Sequence, residues 1–401
     1  MSTYVLHSIF GEVDGTIATP YVGMASSRRL PEIKSHMAAS GIKNAVWTRL
    51  VPIAGIATVI ALALDVLPKE NNVWAAVLVT VLLGGCVFAA VHHAEVIAAR
   101  IGEPFGSIVL ALAVTVLEVG LILSLMVGAG ANGNTIARDT VYSAIMIITT
   151  GIIGLSLLLG SGRHLEQSIR IRGTSYALSV LVVLSVITLI LPNYTLTTIG
   201  PTYSTVQLAM VALTSLVLYF TFLFVQTVRH RDYFLPEDAT LSDADHANPT
   251  TVTFWTSVAL LVTALAAVIL LAKSLSPLLA NIIALAGLPL SFTGVIIAGM
   301  VLLPEGIAAV RAAMANRLQT SVNLALGSGL ATIGLTIPAV ALANFIGNFN
   351  IALGISPSQT VLLVLALFVS AMTLSGGRTN ILFGAVHLAI FAMFLLISAF
   401  P

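Results

Sequence analysis

Charge is what this sequence has least of. Lys, Arg, Asp and Glu together make up 8% of its 401 residues, where soluble domains carry about 25%. Hydrophobic residues make up 58%, at a mean hydropathy of +1.04. A soluble globular domain is excluded, and a chain that crosses a bilayer many times is implied. Cysteine is nearly absent too: Cys86 stands alone inside an apolar run, so neither an intrachain disulfide framework nor a cysteine-based metal site can form. No Gly-rich phosphate loop is present, which disfavours ATP-driven chemistry. The formal net charge of +1 leaves no basic footprint for nucleic acid.

Long hydrophobic runs are what the chain does have. A helical span needs about 20 mostly apolar residues. Reading between charges and turn clusters predicts eleven spans at 46–67, 72–99, 105–128, 140–160, 174–191, 203–226, 252–272, 289–310, 322–345, 358–374 and 380–400. The stretch LSPLLANIIALAGL (275–288) is either a short interfacial helix or an extension of span seven. Residues 1–45 carry Arg28, Arg29, Lys34 and Lys43 with no small-residue cleavage site. They are expected to form a cytosolic tail rather than a signal peptide, either disordered or with a short amphipathic helix around Leu30–Met37.

The few charges are unevenly placed. With the N-terminus in the cytosol, 14 of the 17 basic residues fall on cytosolic segments, and only Lys69, Arg138 and Lys273 fall outside. That asymmetry satisfies the positive-inside rule and puts the C-terminus outside. A bacterial-type inner (cell) membrane location is expected. One long charged connection, 227–251, carries Asp232, Glu237, Asp238, Asp243 and Asp245. It is a solvated linker or a cation-sensing loop, although its acids lack the spacing of a calcium-binding loop.

Two acids break the apolar pattern at depth. Glu118 lies in SIVLALAVTVLEVGLILSLMVG and Glu305 in SFTGVIIAGMVLLPEGIAAV. An ionisable group at bilayer depth costs several kcal/mol and marks an ion or proton path. Their surroundings repeat: Ile153-Gly154-Leu155-Ser156 in span four matches Ile333-Gly334-Leu335-Thr336 in span nine. Five spans separate the members of each pair, and five is odd, so the second copy crosses in the opposite sense. The predicted fold is all-α, an extra first helix (46–67) followed by two inverted five-helix repeats (72–226 and 252–401). Inverted repeats build transporters whose site lies at the repeat interface near the midplane. Pro304, just before Glu305, removes a backbone donor and is expected to bend or break its helix.

At these residues the chain resembles the cation/calcium exchanger superfamily, and within it the proton-coupled calcium exchangers of the bacterial ChaA type, which are calcium and sodium–potassium/proton antiporters. The resemblance rests on His92-His93-Ala94-Glu95, Arg100 through Gly106 and Glu118 in the first half. In the second half it rests on Leu303-Pro304-Glu305, Asn323 through Ser328, Gly334 through Pro338, and Gly377-Arg378-Thr379-Asn380. The exchanger signature Gly-Asn-x-x-Glu is altered, with Val114 and Thr115, then Val301 and Leu302, at the glycine and asparagine positions. Ala331 stands where many exchangers have glutamine. Calcium takes six to eight oxygen ligands, so these losses favour monovalent or mixed use.

The resemblance implies a secondary antiporter, not an enzyme. It would export cytosolic Ca2+, Na+ or K+ against protons by alternating access, with no cofactor besides the transported ions. Glu118 and Glu305 are the expected shared cation and proton ligands. Ser328, Thr115, Thr332 and Asn323 are candidate oxygen donors, though transmembrane hydroxyls often bond their own backbone instead. Glu95, His92 and His93 form a candidate cytosolic entry or pH-sensing cluster, since histidine titrates near physiological pH, or else an interfacial hydrogen-bonded group. Adjacent helical residues point apart, which argues against a zinc site there. Asp65 and His387 read as end-of-span or packing residues. A cation channel without proton coupling is the alternative, and an intramembrane hydrolase a remoter one. The expected partners are inorganic cations, protons and the lipid bilayer, and the ion, stoichiometry and oligomeric state stay open.

Overall fold

The computed structural model describes residues 46–64, 73–102, 105–234, 249–347 and 351–401. The N-terminal tail, Asp65, Glu103, Pro104 and most of the acidic linker lie outside the described residues. Twelve α-helices run in chain order: α1 (Val46–Ala63), α2 (Val73–Ile101), α3 (Phe105–Ala129), α4 (Ile136–Met146), α5 (Ile153–His164), α6 (Ile171–Ser185), α7 (Thr205–Phe224), α8 (Thr251–Leu285), α9 (Phe292–Met314), α10 (Leu318–Gly347), α11 (Pro357–Ser375) and α12 (Ile381–Ala399). A π-helical stretch, Ile147–Ile152, joins α4 and α5 into one rod. Among the described residues, eleven rods are therefore long and apolar enough to cross a membrane. The protein is an all-α, multi-pass membrane protein of one helix plus two inverted five-helix repeats. In lipid only such closed hydrogen-bonding patterns are stable, because no water can satisfy a loose backbone group.

Most predicted span boundaries shift by a few residues, and two differences have clear causes. Span four starts at Gly133 rather than 140, taking in Arg138 and Asp139. Both charges are accommodated because they pair at 2.8 Å, with a further Arg138 hydrogen bond to the Gly354 carbonyl. Span seven is a single 35-residue helix, so 275–288 extends it. Pro304 does not break α9, which is helical from Phe292 to Met314. One missing N–H within a long helix leaves the flanking turns bonded.

The core lies where the repeats meet. The α4–π–α5 rod packs α4 and α5 on α9, and α5 also on α12, while α10 contacts α3, α6, α7 and α9. Glycine permits the closest approach: a Cβ on Gly294 of α9 would stand 2.5 Å from the Asp139 backbone of α4. Two short strands, β1 (Gln167–Ser168) and β2 (Arg378–Thr379), pair antiparallel at one end of the bundle. His387 sits in mid-α12 rather than at a span end. It is fully buried, donating from Nδ1 to the Thr149 carbonyl at 2.7 Å and accepting from Thr373 Oγ1 at 3.1 Å. It is a packing residue that caps a carbonyl of the π stretch.

Candidate functional site: two carboxylates at the end of a cavity

Glu118 and Glu305 each lie 13 residues into their helices, counted from Phe105 and Phe292. At 1.5 Å per residue this is roughly 20 Å from opposite ends of the bundle, because α3 and α9 cross in opposite senses. Both carboxylates consequently sit near the mid-depth of the bundle. Glu305 lies within electrostatic reach of Glu118. Glu118 is 3% exposed, while Glu305 is half-buried on a cavity wall.

One helix holds both. Ser328 Oγ of α10 donates to Glu305 Oε2 at 2.5 Å, and Thr332 Oγ1, one turn on, donates to Glu118 Oε2 at 2.9 Å. Residues four apart share a helix face, so a single face of α10 presents both donors. Thr336 continues that face. Its hydroxyl is buried without a hydrogen-bond partner of ordinary geometry among the described residues, yet lies within electrostatic reach of Glu118. In the sequence Thr336 stands out only as the last residue of the Ile333–Thr336 repeat match. The i, i+4, i+8 spacing of Ser328, Thr332 and Thr336 was the available signal.

The two repeats do not contribute equally. With Gly154 laid over Gly334, Ile148 and Ile152 stand where the second repeat has Ser328 and Thr332. Both hydroxyl donors come from α10, and the residues that line the cavity include none from the opposing rod.

The other candidates divide. Thr115 lines the same cavity, but its hydroxyl donates to the Ala111 carbonyl of its own helix at 2.8 Å. Asn323 also lines it, nearer the mouth, where Nδ2 donates to the Phe234 carbonyl at 2.5 Å and Oδ1 accepts from Gln319. His93 is buried, donating from Nε2 to the Thr48 carbonyl of α1 at 3.1 Å and accepting weakly from Ser257 of α8 at 3.4 Å. It links three helices. His92 stands edge-on to it, ring centroids 5.3 Å apart. Glu95 is exposed and lies within electrostatic reach of Glu305. Among the described residues, no group of three His, Cys, Asp or Glu could hold a metal ion.

The cavity measures about 550 Å3. From Glu118, Glu305, Ser328 and Thr332 it runs past Leu110 and Asn323 to Gln226, Arg231 and Phe234. It therefore opens at the end of the bundle where α3 and α10 begin and α9 ends. Arg231 and Phe234 at its mouth belong to a short turn after α7, anchored by Arg170 donating to the Asp232 carbonyl at 2.5 Å.

Paired acids at mid-depth, an inverted repeat and an open cavity all point to an ion exchanger. Residues 71–228 and 256–400 match the sodium/calcium exchanger protein family model. The chain belongs to the sodium/calcium exchanger family. It is 48% identical over 371 residues to the ionic transporter y4hA of Sinorhizobium fredii, covering 92% of this chain and all of that one. It is 38% identical over 313 residues to the sodium-potassium/proton antiporter ChaA of Escherichia coli, covering 77% of this chain and 84% of that one. Among solved structures, native YfkE superposes with a TM-score of 0.68 at 16% identity, over 88% of this chain and all of the other. That likeness carries the fold. This exchanger is thus a multi-pass cation transporter of the ChaA-like type.

Proposed function

We propose that this exchanger moves cytosolic cations outward in return for protons by alternating access, with Glu118 and Glu305 as the shared site. The observation that carries the reading is the pair of carboxylates on antiparallel helices, joined through one face of α10 at the closed end of the cavity. A carboxylate in this setting needs a proton or a cation to neutralise it. If the site switches sides only when one or the other fills it, exchange is obligatory. Two protons against one Ca2+, or one or two against monovalent ions, leave the site charge nearly constant.

The donor set favours Na+ and K+, or mixed use, over strict Ca2+ selectivity. Beyond the two carboxylates, Ser328 and Thr332 are the hydroxyls that meet them, one each, while Thr115 is turned to its own backbone, which leaves few neutral oxygens for a calcium shell. The identity to an antiporter named for sodium and potassium supports the same preference. We place the mouth bearing Arg231 on the cytosolic side of the inner membrane, as the positive-inside asymmetry requires, with the N-terminus inside and the C-terminus outside. The cavity then corresponds to an inward-open state. Glu95 lies six residues from the cytosolic end of α2 and would draw cations toward Glu305.

The test is proton flux in everted membrane vesicles. A preformed pH gradient should dissipate on adding Na+, K+ or Ca2+, and the response should vanish in Glu118→Gln and Glu305→Gln. A response unchanged in both variants would refute the shared-carboxylate site.

A further inference from the structure

A second cavity, about 570 Å3, lies outside the transport site. It is a groove between the π stretch with α5 on one side and α9 on the other, with Phe391 of α12 closing one edge. Its walls are aliphatic, and Leu155, Leu303 and Ile307 remain exposed along it. Missing side chains make it concave: a Cβ on Gly299 would meet nothing nearer than Ile147 at 4.0 Å. From Val295 to Arg311 the groove follows α9 for 16 residues, roughly 24 Å, which exceeds the roughly 15 Å of one leaflet's hydrocarbon.

Its one charged lining residue is Arg311, at the end of the groove and exposed. Among the described residues no carboxylate lies within ion-pair distance of it. Further positive charge gathers at the same end. His164 of α5 donates to the Met314 carbonyl of α9 at 2.9 Å, which sets the ends of these helices side by side, with exposed Arg163 next to that histidine and exposed Arg317 just beyond α9. The nearby Glu166 faces Arg378 instead, at 3.7 Å.

We propose that this groove is a binding site for an anionic glycerophospholipid, one acyl chain lying along Gly299 and Gly306 and the phosphate held at Arg311. An apolar slot inside the bilayer, ending in an arginine with no ion-pair partner among the described residues, matches a lipid's own polarity, chain then anionic head group. Basic pockets between transmembrane helices bind such head groups. A second copy of this chain would bring its own polar helix ends to Arg311 but supplies no complementary acid on the described surface of the groove. The occupied groove backs directly onto α9, the helix that carries Glu305.

Native mass spectrometry of the purified full chain in detergent tests this, with phosphatidylglycerol and phosphatidylcholine of identical acyl chains added in turn. The wild type should retain one phosphatidylglycerol, preferring it over phosphatidylcholine about fivefold, the factor for one basic residue near an anionic head group. Gly299→Leu fills the slot and should lose retention of both lipids. Arg311→Gln should keep binding but bring the preference close to one. Equal retention of both lipids by the wild type, or unchanged retention in Gly299→Leu, would overturn the proposal. So would a wild-type dimer that dissociates in Gly299→Leu with no change in lipid, which would make the groove a protein interface. Size-exclusion profiles matching the wild type establish that each variant is folded.

Discussion

Removing the two α10 hydroxyls one at a time should separate the residues that serve the carboxylates from those that only line the cavity. Thr332→Val keeps the shape of the side chain and deletes the donor to Glu118 Oε2, a 2.9 Å bond in a buried setting. Ser328→Ala does the same at Glu305. A hydrogen bond to a charged group contributes about 1.5–3 kcal/mol, and about 1.4 kcal/mol is tenfold in an equilibrium constant. Each variant should therefore weaken apparent cation affinity between about tenfold and about a hundredfold. Thr115→Val is the internal control, because that hydroxyl is bonded to Ala111 of its own helix. It should change affinity by less than about threefold, given the small worth of a helix back-bond. The assay is the cation concentration giving half-maximal dissipation of a pH gradient in everted vesicles, at fixed pH, for Na+, K+ and Ca2+ separately. If Thr332→Val and Thr115→Val shift the midpoint equally, or Thr332→Val leaves it unchanged, the hydroxyl face of α10 is not part of the site.

Other consequences follow from the packing. Gly294→Ala drives a methyl to 2.5 Å from the Asp139 backbone, so it should destabilise by about 1–3 kcal/mol. Gly299→Ala meets only Ile147 at 4.0 Å and should be neutral or stabilise by up to about 1 kcal/mol through helix propensity, so in detergent Gly294→Ala should lower the thermal midpoint and Gly299→Ala should not. Arg138→Met strands the buried Asp139 carboxylate and should cost about 3–5 kcal/mol, measured the same way; a wild-type midpoint would show the pair to be dispensable. Cys86 is fully buried, so a membrane-impermeant maleimide should leave the wild type unlabelled. Leu196→Cys and Arg163→Cys, at exposed positions on opposite ends of the bundle, should then label from opposite sides of a sealed vesicle, and labelling from one side would refute the topology.

Composition alone determined the class of this molecule. With charges this sparse and apolar runs this long, no arrangement other than membrane-spanning helices satisfies both backbone and side chains, and all eleven spans were legible before any coordinates. Glu118 and Glu305 were legible for the same reason, since a carboxylate in a 20-residue apolar run has no inexpensive place to be. The start of span four was not. Arg138 and Asp139 read as loop because each alone is costly to bury, and only their mutual contact, with the Gly354 carbonyl brought from over 200 residues away, makes the burial tolerable. Likewise, the sequence contains Ser328, Thr332, Thr115 and Asn323 as similar polar residues on apolar helices. Which of them meets a carboxylate depends on the rotation of α10 against α3 and α9, a property of side-chain packing between helices distant in sequence. Tertiary structure alone decided that Ser328 and Thr332 face the acids, that Thr115 and Asn323 bond elsewhere, and that His93 ties three helices together.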